Sequence, residues 1–206
     1  MARSAHPTHP PSASSPVADK AIRADARENR EKLLRAAGER FAMEGSDVPL
    51  EAIARAAGVG IGTLYRHFPT REALIESVYR NEVDQLCSSP AALLAELPAD
   101  EALAQWMERF VAYATTKRGL LGALKSLAGS QSELFGATRE RLLAAIGELL
   151  AAGIAAGRIR PDVDAEDVYT SMNAVWTIAG EGKQWADQAR RVLRLLMDGL
   201  RYGAGA

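Results

Sequence analysis

The chain has 206 residues, 48% of them hydrophobic, with 25 Lys and Arg against 26 Asp and Glu for a formal net charge of −1. That length allows a small head on a larger body with a buried core. The preponderance of Ala, Leu, Glu and Arg over Val, Ile, Thr and aromatic residues speaks against strands and for an all-α fold.

The near-neutral total does not exclude a nucleic-acid partner. Residues 1–75 carry 11 basic against 9 acidic side chains and residues 76–206 carry 14 against 17, the sign of asymmetry expected of a DNA-binding head. No stretch reaches the roughly 20 apolar residues of a membrane span, and MARSAHPTHPPSASSPVADK at the start lacks the apolar run of a signal peptide. Cys87 is the only cysteine, which leaves no internal disulfide and suits a reducing compartment. A cytoplasmic protein with no membrane partner is expected.

Taken in chain order, residues 1–22 mix Pro7, Pro10, Pro11 and Pro16 with Ser, His and Ala, have no hydrophobic period, and read as a disordered tail. Leu34, Ala37 and Phe41 then set an apolar stripe on a helix over 24–43, with Gly45 just past its end. Pro49 suits the first turn of a short helix over 50–57. Gly58, Val59 and Gly60 make a tight turn before a short helix over 61–67, closed by Pro69. Thr70 can cap a helix over 71–86.

Ser88, Ser89 and Pro90 mark a break. Further helices are predicted near 100–116, 119–128, 132–156, 165–180 and 185–202, with Asp100 and Asp164 as N-caps and Gly157 as a stop before Pro161. The expected architecture is all-α with about nine helices: a three-helix helix-turn-helix head over 23–75 and a helical-bundle body over 76–206, joined by the linking helix 71–86.

The segment GVGIGTLYRHFPTREAL, residues 58–74, carries the functional chemistry. Leu64 and Phe68 are four apart and face one way, so with Ile53 and Val59 they can lock the two short helices against Leu34 and Phe41. Thr63, Tyr65, Arg66 and His67 then offer hydroxyls, a guanidinium and an imidazole to a groove, while Gly62 permits a close approach. Arg71, in the first turn of the next helix, adds a charge suited to a phosphate.

From about Arg27 to Leu74 the sequence closely resembles the DNA-binding head of the TetR family, with AIARAAGVGIGTLYRHFPTREAL, residues 52–74, in register throughout. The resemblance implies that Thr63, Tyr65, His67 and Arg71 touch DNA, mostly at phosphates, and that the helix carrying the first three enters the major groove. Two positions depart from the family pattern. Gly60 stands where Ser or Thr is usual, weakening the helix cap by only a few tenths of a kcal/mol. Ile61 replaces a polar residue and can instead touch a thymine methyl. TKRGLLGAL and the closing LLMDGLR suggest a body of this family without naming a ligand.

The expected function is therefore a sequence-specific repressor, binding a pseudo-palindromic double-stranded operator as a homodimer and released by a small-molecule effector. Trp106, Phe110, Tyr113, Met172 and Trp176 are candidates to line the effector pocket, with Arg109 or Lys125 as a polar anchor; ordinary core is the plainer reading of the apolar ones. Helices 165–180 and 185–202 are apolar on more than one face, which points to Val168, Val175, Val192, Leu196 and Leu200 at a two-fold, four-helix seam. A DNA-binding dimer without a ligand is the alternative.

An enzyme fits least, because two of the three histidines lie in the tail and no catalytic motif is present. No cofactor is expected. Helix capping explains Asp162, Asp164 and Asp167 better than a metal does.

Overall fold

Helix α1 (Pro16–Glu44) opens the chain in a computed structural model, which describes residues 16–126, 131–180 and 182–204. It starts within the expected tail, correcting the boundary at residue 22: proline is at home in a first helical turn, and no Gly or Pro follows until Gly38. The rest of the expected tail, residues 1–15, lies outside the described residues. Gly45 ends α1 at a φ of 82° and donates its N–H to the Phe41 carbonyl at 3.1 Å, the left-handed stop that glycine adopts without penalty.

Two short helices follow, α2 (Leu50–Ala56) and α3 (Ile61–His67), then the linking helix α4 (Arg71–Cys87). The body consists of α5 (Pro90–Glu96), α6 (Ala99–Ser126), α7 (Gln131–Ala155), α8 (Ala165–Met172), a 3-10 segment (Asn173–Thr177) and α9 (Gly182–Arg201). None of the described residues forms a strand, and none of their helices is long and apolar enough to cross a membrane.

The body departs from expectation in three places. Pro90 begins a helix rather than merely breaking one, since its missing N–H is unneeded in a first turn. The expected helices 100–116 and 119–128 are one continuous helix. Thr115 and Thr116 donate their hydroxyls back to the Val111 and Ala112 carbonyls at 2.8 and 3.4 Å, and Gly119 is kept inside the helix by packing. A Cβ at Gly119 would overlap the backbone carbonyl of Phe41, so glycine here lets α6 touch the backbone of α1. The expected helix 165–180 tightens to 3-10 after Met172, where the Val175 carbonyl accepts the Trp185 indole N–H at 3.2 Å.

A single apolar core runs from Leu33 and Phe41 in the head through Val78 and Tyr79 of α4 to Met197 and Leu200 of α9. Trp106 is fully buried and donates its indole N–H to the Leu86 carbonyl at 3.0 Å, tying α6 to the end of α4. Asp164 forms a capping box with Asp167, their reciprocal bonds measuring 2.9 and 3.2 Å, and Asp162 pairs with Arg160. These contacts account for the three aspartates.

Asp100 lies inside the first turn of α6 and not at its N-cap as expected, because the helix already starts at Ala99. Its carboxylate accepts from Arg158 at 3.0 Å and from Arg201 at 2.9 Å, closing the start of α6 onto the turn after α7 and the end of α9. Burial alone would raise this carboxyl, but the two guanidinia outweigh it and hold Asp100 below the ordinary carboxylate range. The folded chain therefore takes up this proton at lower pH than the unfolded chain. The contribution is complete above the ordinary carboxylate value and is lost as pH falls through the depressed one. Asp100→Asn should cost about 1 to 3 kcal/mol at neutral pH and flatten the acid limb of the stability profile. Urea melts between neutral and acid pH check this, and parallel acid limbs for the two proteins would refute it.

Candidate nucleic-acid interface and sensing core

The turn between α2 and α3 is built by glycine. Gly58 adopts a φ of 70°, Val59 donates to the Ala54 carbonyl at 3.0 Å, and Gly60 turns extended to lead into α3 without a side-chain cap. The Gly60 carbonyl instead accepts from the Thr63 and Leu64 amides at 2.9 and 3.2 Å, opening the helix from the backbone side.

Residues 60–68 then divide by face. Leu64 is 0% and the adjoining Phe68 1% exposed, packed in one cluster with Ile53, Leu34 and Phe41, while Val59 is only half-buried against it. The Arg30 guanidinium covers the Phe68 ring at 4.7 Å, a further link between α1 and α3. Tyr65 is 46% exposed, Gly60, Gly62 and Arg66 are exposed, and Ile61, Thr63 and His67 are half-exposed. Among the described residues, nothing beyond its chain neighbours and the backbone of α3 itself lies within 4 Å of a Cβ built on Gly62, so this side of α3 is clear of the rest of the fold.

Arg71, expected to add a charge suited to a phosphate, also has partners within the head. Its Nη1 donates to the Ser46 and Val48 carbonyls at 2.8 Å each, so the half-buried guanidinium clasps the loop between α1 and α2. Thr70 caps α4 as expected, accepting from the Ala73 amide at 3.1 Å.

In the body, Trp106, Phe110, Tyr113 and Met172 are each no more than 3% exposed, and Trp176 is half-buried, its indole N–H donated to Asn173 Oδ1 at 3.0 Å. The two expected polar anchors do not join them, since Arg109 and Lys125 are both exposed on other faces of α6. The cation that does is Lys117. Positions 106, 110, 113 and 117 are three or four apart, so the spacing alone puts Lys117 on the same face as the aromatic stripe. Its Nζ lies within 6 Å of the ring centres of Tyr79, Tyr113, Phe135 and Trp176.

Grooves run along the outside. One, about 1090 Å³, lies between α1, α4, α6 and α9 and is lined largely by charged and polar side chains that include Glu82, whose carboxyl is pushed up by burial. Another, about 340 Å³, lies between α6 and α9. Burial also pushes the half-buried Cys87 thiol up, away from nucleophilic behaviour.

The residues expected at a dimer seam divide. Val168, Val175 and Leu200 are at most 3% exposed and belong to the protomer's own core, which corrects their assignment to a surface. Val192 and Leu196 are half-buried, and Leu195 beside them on α9 is 72% exposed. The available apolar face of α9 is therefore a narrow stripe.

Comparison with known proteins falls on both halves of the chain. Residues 33–78 match the family model of bacterial regulatory proteins of the tetR family, and residues 98–202 match the C-terminal domain of SbtR-like transcriptional regulators. An HTH-type transcriptional regulator of Staphylococcus aureus is 38% identical over 64 residues, 31% of this chain and 35% of that protein, so the match spans about a third of the curated relative. The crystal structure of a TetR transcriptional regulator from Streptomyces coelicolor is 47% identical with a TM-score of 0.77, over 85% of this chain and 99% of that one. That of a TetR transcription regulatory protein from Mycobacterium vanbaalenii is 37% identical with a TM-score of 0.70, over 87% and 99%.

Proposed function

Because the chain belongs to the TetR family of bacterial transcriptional regulators, we propose that it is a repressor that grips a pseudo-palindromic operator as a homodimer and lets go when a small molecule binds its body. The observation that carries the DNA half is the division of α3, which buries Leu64 while leaving Tyr65 and Arg66 exposed. One such helix makes few base contacts. A two-fold dimer presents two of them to successive major grooves, about 34 to 36 Å apart. Operator DNA places this work in the cytoplasm.

The dimer half rests on α9. Its stripe of Val192, Leu195 and Leu196 is apolar and unpartnered within the protomer at Leu195. Leu195→Arg should yield folded monomers that bind operator weakly, whereas Leu200→Arg, which buries a charge in the protomer core, should unfold the chain. Sedimentation velocity together with circular dichroism checks the pair. A native dimer from Leu195→Arg would move the seam elsewhere.

The operator itself is sought in the DNA flanking the gene, by footprinting and fluorescence anisotropy at several salt concentrations. A two-fold footprint whose affinity falls steeply with salt is expected, because phosphate contacts release counterions. Binding by a single protomer, or with no preference for any sequence, would overturn the reading.

A further inference from the structure

Lys117 is held in a cage of aromatic rings. Its Nζ lies 4.9 Å from the centre of the Phe135 ring, 5.1 Å from Trp176, 5.7 Å from Tyr113 and 5.9 Å from Tyr79. The rings come from α7, the 3-10 segment, α6 and α4, so four elements of the body meet at one ammonium. Tyr79 and Tyr113 are buried and form the floor, while Lys117, Phe135 and Trp176 are half-buried.

The faces of the rings attract the cation but supply no counter-charge. No hydrogen bond or ion pair to Lys117 is present among the described residues, in contrast to Asp100, which two guanidinia answer. Burial strips the ammonium of water and pushes Lys117 below the usual lysine range. A charge in this position costs free energy unless a partner arrives.

We propose that Lys117 is the counter-charge for an anionic effector, a monocarboxylate whose apolar body lies against Trp176 and Phe135 while its carboxylate meets Nζ. The inference rests on the reading of the body as a ligand sensor and narrows it to one chemical class. A cationic ligand would meet like charge. A neutral apolar ligand would bury the ammonium further without answering it. A doubly charged phosphate would ask for more donors than one lysine among aromatic walls provides, whereas a single carboxylate balances the charge.

The site also reaches the linking helix. Tyr79 belongs to α4 and its hydroxyl donates to Thr138 Oγ1 of α7 at 3.1 Å. A carboxylate that draws Nζ away from the Tyr79 and Tyr113 rings therefore acts on the helix that carries the head.

The test uses the full chain with decanoate and 4-phenylbutyrate as probes, each beside its neutral amide and its amine. Binding is read by tryptophan fluorescence and thermal shift, and operator affinity separately by anisotropy. The carboxylates should bind about tenfold or more tightly than their amides, and amines weakest. Lys117→Arg should keep that preference and Lys117→Met abolish it. Without any probe, Lys117→Met should melt higher than the parent, since an unanswered charge is gone.

Equal binding of carboxylate and amide, a preference that survives Lys117→Met, tightest binding by the amines, or no binding of either carboxylate at millimolar concentration would each overturn the site. Carboxylate preference with unchanged operator affinity would uphold the site and overturn ligand-controlled release. Release by the amides without carboxylate preference would do the reverse.

Discussion

Gly119→Val is expected to drive the head off the body. A side chain at this position meets the Phe41 carbonyl and the backbone that follows it, not the flexible end of another side chain. Two helices must move apart for it to fit. Overpacking usually costs about 1 to 3 kcal/mol, and an obstacle made of backbone belongs at or above the top of that range. The contact joins the last turn of α1 to α6, so operator affinity should fall together with stability. Gly147→Ala on α7 is the control: among the described residues nothing outside the local helix lies within 4 Å of the added Cβ, and a helical alanine there should add up to about 1 kcal/mol. Urea melts and operator titrations of both variants decide the matter. A native melt for Gly119→Val would show that the two helices can part freely.

The second large effect separates the two faces of α3. Phe68→Ala removes a ring that is 1% exposed and covered by Arg30, and should cost about 3 to 5 kcal/mol, enough to unfold the head and abolish operator binding. Leu64→Ala should cost about 2 to 5 kcal/mol for the same reason. Tyr65→Ala, at a residue 46% exposed, should leave stability within about 0.5 kcal/mol while weakening operator binding. Arg71→Ala should do both, because its guanidinium bridges to Ser46 and Val48. Melting curves run beside anisotropy titrations separate the three behaviours. Tyr65→Ala with native affinity would remove Tyr65 from the interface, and Phe68→Ala with a native melt would remove Phe68 from the core.

Much of the head was legible in the sequence because its signals are local. Glycine at 45 and 58, Thr70 as a cap, and the four-residue spacing of Leu64 and Phe68 each act within a turn or two, and the structure shows each as expected. The body yields less to such reading because its outcomes depend on what packs against what. The expected break between helices 100–116 and 119–128 is absent, and Gly119 beside it is a point of contact whose partner backbone, at Phe41, is 78 positions away. Val168, Val175 and Leu200 lie on helices apolar on more than one face, and the core claims them. Arg109 and Lys125 carry the charge an anchor needs but lie off the stripe that starts at Trp106. Lys117 continues that stripe and was readable from the same spacing.

The grip of Arg71 on the loop after α1 has a mechanical consequence. Arg71 is the first residue of α4, and the carbonyls it holds at 2.8 Å belong to the segment that leads into α2. The joint where α4 enters the head is therefore bolted from two sides, by this guanidinium and by the Thr70 cap, and offers no slack. With 17 residues, α4 is about 25 Å long, so a tilt of roughly 5° about its far end displaces the near end by roughly 2 Å. A stiff coupling delivers that displacement to α3 whole instead of losing it in a flexing turn. In a two-fold assembly the arms swing in opposite senses, and the gap between the paired reading heads changes by up to about twice as much.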